Sequence, residues 1–175
     1  MFIDLIMDEK RELFKACKMG DIQIVKSLIK NGADIEMKGD YGMTPLMSSC
    51  NSGQLEITKY LIECGADIES RSDHGNTPLI YAAYGGHLEV TMFLVEKGVV
   101  IDVRDVDGWT PLMISSCYRY TDIAKLLIEK GAYIEAECKV WKSIIGSLDE
   151  LQKEEIKEVI KDIHFRKMMI KPHRM

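Results

Sequence analysis

The chain has 175 residues, 46% of them apolar and 29% charged, and a net charge of −5. That composition excludes a disordered chain, and no apolar run approaches the roughly 20 residues of a membrane helix. The charge is uneven, because Arg166, Lys167, Lys171 and Arg174 give the acid-free stretch from Ile163 to Met175 a charge of +4 and leave −9 for the rest. An acidic body is a poor match for nucleic acid, whose binding depends on clustered Lys and Arg.

At the start, Met1-Phe-Ile-Asp-Leu-Ile-Met7 is apolar but short, contains Asp4 and has no basic leading stretch. It therefore does not read as a signal peptide, and the expected setting is soluble and cytoplasmic. Cys17, Cys50, Cys64, Cys117 and Cys138 are odd in number and form no CxxC pair. They read as free thiols in a reducing compartment rather than a disulfide framework or a zinc site.

Two markers recur at 33-residue intervals. One is Thr-Pro-Leu, at Thr44-Pro45-Leu46, Thr77-Pro78-Leu79 and Thr110-Pro111-Leu112. The other runs Gly32-Ala-Asp-Ile-Glu36, Gly65-Ala-Asp-Ile-Glu69, Gly98-Val-Val-Ile-Asp102 and Gly131-Ala-Tyr-Ile-Glu135. Such a period marks a repeat architecture.

The register divides the chain into a first unit at about 6–38, three full units at 39–71, 72–104 and 105–137, a last unit at 138–162 and a basic tail at 163–175. In the first unit Arg11-Glu12-Leu13 replaces Thr-Pro-Leu, while Leu13, Ala16, Gly20, Ile24, Val25 and Leu28 keep the pattern. In the second, Thr44 suits an N-cap and Pro45 the first helical position. Leu46, Met47 and Cys50 then share a face. Gly53 stops that helix, another begins near Leu55 with Ile57, Leu61 and Ile62 inward, and Gly65 ends it in a left-handed conformation. The polar, glycine-marked stretches through Gly42, Gly75 and Gly108 read as protruding turns or hairpins. The fourth unit is the most irregular: Arg119 stands in the helix-ending glycine slot, Tyr120 follows, and Tyr133 replaces an Asp. In the last unit Ser143-Ile144-Ile145 takes the Thr-Pro-Leu slot, while Ile156, Val159 and Ile160 keep the second stripe. Charged Lys10, Arg11, Lys153 and Glu154 suit terminal units with one wet face, so the array reads as complete. The tail is open to three readings: a frayed end, a cover on the last repeat, or a contact for an acidic surface or lipid head groups.

Catalytic chemistry finds no foothold. His87, in Gly-Gly-His-Leu-Glu, reads as a structural loop residue and His74 as an exposed one; no metal-ligand spacing, GxSxG or phosphate loop occurs. No cofactor and no metal are expected. Cys17 and Cys50 fall at equivalent inner positions of adjacent units and read as small apolar core residues. Glu36, Glu69, Asp102 and Glu135, with Asp34 and Asp67, read as a solvated acidic ridge, or as a field that steers a basic partner.

The unit length, its Thr-Pro-Leu start and its Gly-Ala-Asp end resemble the ankyrin repeat family from residue 8 to about residue 162. The resemblance implies an all-α solenoid of stacked helix-turn-helix ankyrin repeats with protruding hairpin loops. It also implies a non-enzymatic protein-protein interaction module, an adapter, inhibitor or assembly factor, monomeric when unbound. Its concave surface would be formed by hairpin tips and the exposed side of the first helices. Carried onto this sequence, the hairpin positions are Asp40, Tyr41 and Met43, then Asp73, His74 and Asn76, then Val106, Asp107 and Trp109. The helix positions include Ser48 and Asn51, Tyr81 and Tyr84, Ile114 and Tyr118, and Trp141 begins the last unit. These slots hold many of the chain's aromatics, as interface hot spots do; packing between hairpins is the other use for them. Trp109, Tyr84 and Tyr118 are the expected central contacts. Two other functions stay open, a regulatory or chaperone-like subunit of a larger enzyme complex and a structural, self-associating repeat.

Overall fold

In a computed structural model the protein is described over residues 2–133 and at Glu154, with side chains from Lys10 onward. Trp141, the tail at 163–175 and, apart from Glu154, the last unit at 138–162 lie outside the described residues.

The described chain forms α1 (Phe2–Met19), α2 (Ile22–Lys30), α3 (Pro45–Asn51), α4 (Leu55–Glu63), α5 (Pro78–Gly85), α6 (Leu88–Glu96), α7 (Pro111–Cys117) and α8 (Thr121–Glu129). Helices of seven to nine residues, such as α3 to α8, are not stable alone in water. Their stability comes from stacking. Helices α1, α3, α5 and α7 pack in one row, α2, α4, α6 and α8 in another, and each first helix also packs on the second helix of its own unit. The result is an all-α solenoid.

Local chemistry sets the starts of α3, α5 and α7 and the turns after the second helices. Thr44, Thr77 and Thr110 accept the backbone N–H groups of Met47, Ile80 and Met113 at 3.3, 3.4 and 3.2 Å, and a proline follows each cap. Past the second helices, Gly32, Gly65, Gly98 and Gly131 have φ of 97°, 95°, 85° and 98°. An added Cβ there would meet nothing within 4 Å, so the left-handed backbone rather than crowding demands glycine. The turn is closed by bonds such as Ala66 N–H to Leu61 O at 3.0 Å.

One core runs through the stack from Leu13 and Cys17 through Leu46, Cys50, Leu61, Leu79 and Leu94 to Leu127 and Ala132. A smaller cluster of Ile80, Ala83, Val103 and Ile114 lies at the third and fourth units, with Tyr84 and Trp109 packed on it. Each fully buried Leu or Ile contributes about 1.5–3 kcal/mol relative to exposure, so the rows cannot separate cheaply.

Candidate functional site

The hairpins close at their base, through Gly39 N–H to Met43 O (2.7 Å), Ser72 N–H to Asn76 O (3.0 Å) and Asp105 N–H to Trp109 O (3.1 Å). Neighbouring tips are bonded too, Asp73 N–H to Tyr41 O at 2.9 Å and Val106 N–H to His74 O at 3.0 Å. The tips therefore form a continuous edge. In the third and fourth units Ser72 and Asp105 stiffen the loop by accepting the backbone N–H groups of Asn76 (3.2 Å) and Trp109 (2.8 Å). Gly39 has no side chain for that task. An added Cβ on it would lie 2.9 Å from the Phe14 ring, and the first hairpin instead holds Tyr41 left-handed at φ 57°. A cleft of about 480 Å³ opens there, lined by Lys10, Arg11, Phe14, Gly39, Asp40, Tyr41 and Met43.

Of the positions expected to face a partner, Asp40, Tyr41, Asp73, His74, Val106, Asp107 and Tyr118 are exposed, while Met43, Tyr84 and Trp109 are half-buried. Asn76, Tyr81 and Ile114 are buried, with 9%, 8% and 1% exposure, so the expectation that they line an open surface is corrected. The physical cause is the stack itself. An inner first helix such as α5 or α7 touches a neighbouring first helix, its own second helix and the hairpin, and Pro111 through Ser116 are all buried. Only the last turn of such a helix reaches solvent.

That last turn carries an aromatic cluster. The Tyr84 and Tyr118 rings meet edge-on with centroids 6.0 Å apart, and Tyr118 and Tyr120 stack, also at 6.0 Å. Tyr120, outside the positions expected to face a partner, also lies over Gly86, where a Cβ would come within 2.6 Å of its ring. Its register position is shared with Gln54 and His87, whose side chains bond to Lys18 O (3.3 Å) and Asn51 O (3.1 Å) of the preceding unit. The period alone held that signal. Burial pushes the Tyr84 phenol up from its ordinary value, and Asp105, Tyr118, Asp107 and Tyr81 push it in the same direction. Tyr41 and His74 pack on each other at 5.6 Å, so hairpin aromatics do stiffen the edge as well.

The acidic row is more than a solvated ridge. Glu36, Glu69 and Asp102 each accept a backbone N–H of the next unit. Glu135 lies outside the described residues. Cys17 and Cys50 are wholly buried, and burial pushes both thiols up to about 12. Among the described residues no group of three His, Cys, Asp or Glu is placed to hold a metal ion, and no helix is long and apolar enough to cross a membrane.

A family model described as ankyrin repeats (3 copies) matches residues 5–72 and again residues 68–138. No curated protein matches the chain. The two family matches run over most of the sequence and fall on the Thr-capped helix pairs and glycine turns described above; the chain belongs to the ankyrin repeat family.

Proposed function

We propose that this chain is a non-enzymatic adapter, inhibitor or assembly factor that holds a partner protein against its hairpin tips and the last turns of its first helices. The family is in general a protein-interaction module, and this reading narrows that to one face. The supporting observation is the Tyr84–Tyr118–Tyr120 cluster, in which Tyr118 stays 56% exposed although its ring is held by two others. A rigid, exposed aromatic offers contact area at little entropic cost, as hot spots do. Asp40, Tyr41, Met43, Asp73, His74, Val106, Asp107 and Trp109 supply the rest of the surface. Residues 1–162 act as one array, monomeric until the partner binds, in a reducing cytoplasm that suits its free thiols.

The test is position-specific photo-crosslinking. A photoreactive residue at position 118 is expected to capture the partner, and one at position 92, on the α6 surface where Met92 is 42% exposed, is not. Capture from position 92 alone would move the interface to the other layer.

A further inference from the structure

The corner at the fourth unit has a chemistry of its own. Tyr118 and Tyr84 present an edge-to-face pair, and Trp109 and Tyr84 pack on the small cluster of Ile80, Ala83, Val103 and Ile114 beneath. The rings are therefore held in place from behind while Tyr118 faces solvent.

The polar groups at this corner are acceptors. Asp105 Oδ1 takes the N–H groups of Asp107 (3.0 Å) and Trp109 (2.8 Å), which fixes the loop. The exposed Asp107 carboxylate accepts no bond from any described residue. One unit earlier, in the hairpin joined to this one through Val106 N–H and His74 O, Asn76 is 9% exposed and its Oδ1 has no donor. Two nearby guanidinium groups are bonded to loop carbonyls. Arg71 Nη1 donates to Gly75 O and Arg104 O, Arg104 Nη1 donates to Gly108 O, and Arg119 lines a different cleft with Leu88, Thr121 and Asp122. Asp105 and Asp107 both add to the upward push that burial gives the Tyr84 phenol. Aromatic faces beside carboxylates attract a cation twice, through the ring quadrupole and through the charge. A planar guanidinium also stacks on the ring and keeps its donors free for the carboxylates, which an ammonium cannot match.

We propose that the corner of Tyr84, Trp109 and Tyr118, rimmed by Asp105 and Asp107, receives an arginine side chain from a basic segment of the partner. This rests on the reading of the hairpin face as the binding surface.

The experiment is an NMR titration of the full chain that follows the indole Nε1–H signal of Trp109, assigned by its survival in Trp141→Phe. The probes are blocked hexa-arginine, hexa-lysine and hexa-glutamate peptides. Hexa-arginine is expected to shift the Trp109 signal saturably, hexa-lysine more weakly and hexa-glutamate not at all. Tyr118→Ala and Asp107→Asn should each weaken the hexa-arginine response about fivefold, the effect of one exposed cation–π contact or charge pair. No Trp109 shift at millimolar hexa-arginine overturns the proposal. Equal responses to arginine and lysine peptides that ignore Tyr118→Ala also overturn it, because they report diffuse charge attraction. If position 118 still crosslinks to a partner while hexa-arginine neither binds nor competes, the binding face stands and the arginine assignment falls. If both fail, the face itself is wrong.

Discussion

Glu36 Oε1 accepts the backbone N–H of Asp67, 31 residues further on, at 2.7 Å. Asp67 Oδ1 in turn accepts the N–H of Glu69 at 2.9 Å, and Glu69 Oε1 accepts the N–H of Val100 at 2.7 Å. The two acids of Gly-Ala-Asp-Ile-Glu thus divide the labour. The Asp folds its own turn, and the Glu reaches across to the turn of the next unit. At Val100 the relay loses its Asp, although Asp102 Oδ1 still reaches Tyr133 N–H at 2.8 Å.

Removing one of these cross-unit bonds should loosen the stack at one interface. Glu69→Ala is expected to cost about 1–2 kcal/mol in urea unfolding, the range for a hydrogen bond to a charged acceptor on a partly exposed edge. Glu69→Gln keeps an acceptor and should cost less. In the opposite direction, Val100→Asp restores the missing turn and removes a side chain that is 60% exposed. A gain of about 0.5 kcal/mol is expected there. A neutral Glu69→Ala would show that the edge bonds merely decorate packing.

Arg119 has φ 62°, in the slot where Gly53 and Gly86 have 72° and 73°. A side chain in the left-handed region costs free energy that glycine avoids. Arg119→Gly is therefore expected to be more stable than Arg119→Ala, which also lacks the guanidinium, by about 0.5–1 kcal/mol, read as a higher thermal midpoint. The converse, Gly86→Ala, should destabilise by more, because its Cβ would also press into the Tyr120 ring at 2.6 Å.

The four cysteines among the described residues should separate into two classes. Cys64 and Cys117 are exposed and Cys17 and Cys50 buried, so iodoacetamide at pH 8 should alkylate the first pair and reach the second only on unfolding. Burial raises the buried thiols from 9.0 to about 12. The folded chain therefore holds these protons where the unfolded chain releases them. Their contribution to stability is complete below about pH 9 and is lost as pH rises toward 12, by up to about 1.4 kcal/mol per pH unit for each thiol. Cys50→Ala should flatten the fall in urea midpoint above pH 9 even if it lowers the midpoint at pH 7. An unchanged slope would contradict the burial argument.

The elements of the fold were legible in the sequence because their boundaries are local chemistry: Thr44 caps and Pro45 starts, and Gly65 must be left-handed. The surface was less legible because helical periodicity assigns one inner face. Tyr81 and Ile114 fall on the face that a lone helix pair would expose, but in the stack a neighbouring first helix and a hairpin cover that face too. The Glu69–Val100 bond was visible only as a recurring letter, since a carboxylate that reaches a distant amide has the same sequence signature as a solvated one. Tyr120 was hidden for a related reason: only its alignment with Gln54 and His87 shows that the slot makes contacts between units.

The same burial pattern changes which substitution can test the binding face. Trp109 is half-buried and packs on Ile80, Ala83, Val103 and Ile114, so Trp109→Ala removes binding area and support for the hairpin together. It should destabilise the chain by about 2–4 kcal/mol, somewhat less than a fully buried aromatic, and a loss of binding in it would be ambiguous. Tyr118 is 56% exposed and leans on Tyr84 and Tyr120 without a place in either core cluster. Tyr118→Ala is expected to change unfolding by less than about 1 kcal/mol, the scale of surface substitutions and aromatic pairs. It should still weaken a partner that uses this surface by about 2 kcal/mol or more, as truncation of a hot spot does. Urea unfolding and binding measured on the same preparation distinguish the two variants. If Tyr118→Ala is stable and binds a verified partner as tightly as the parent, the aromatic cluster stiffens the array and the contact lies elsewhere on the molecule.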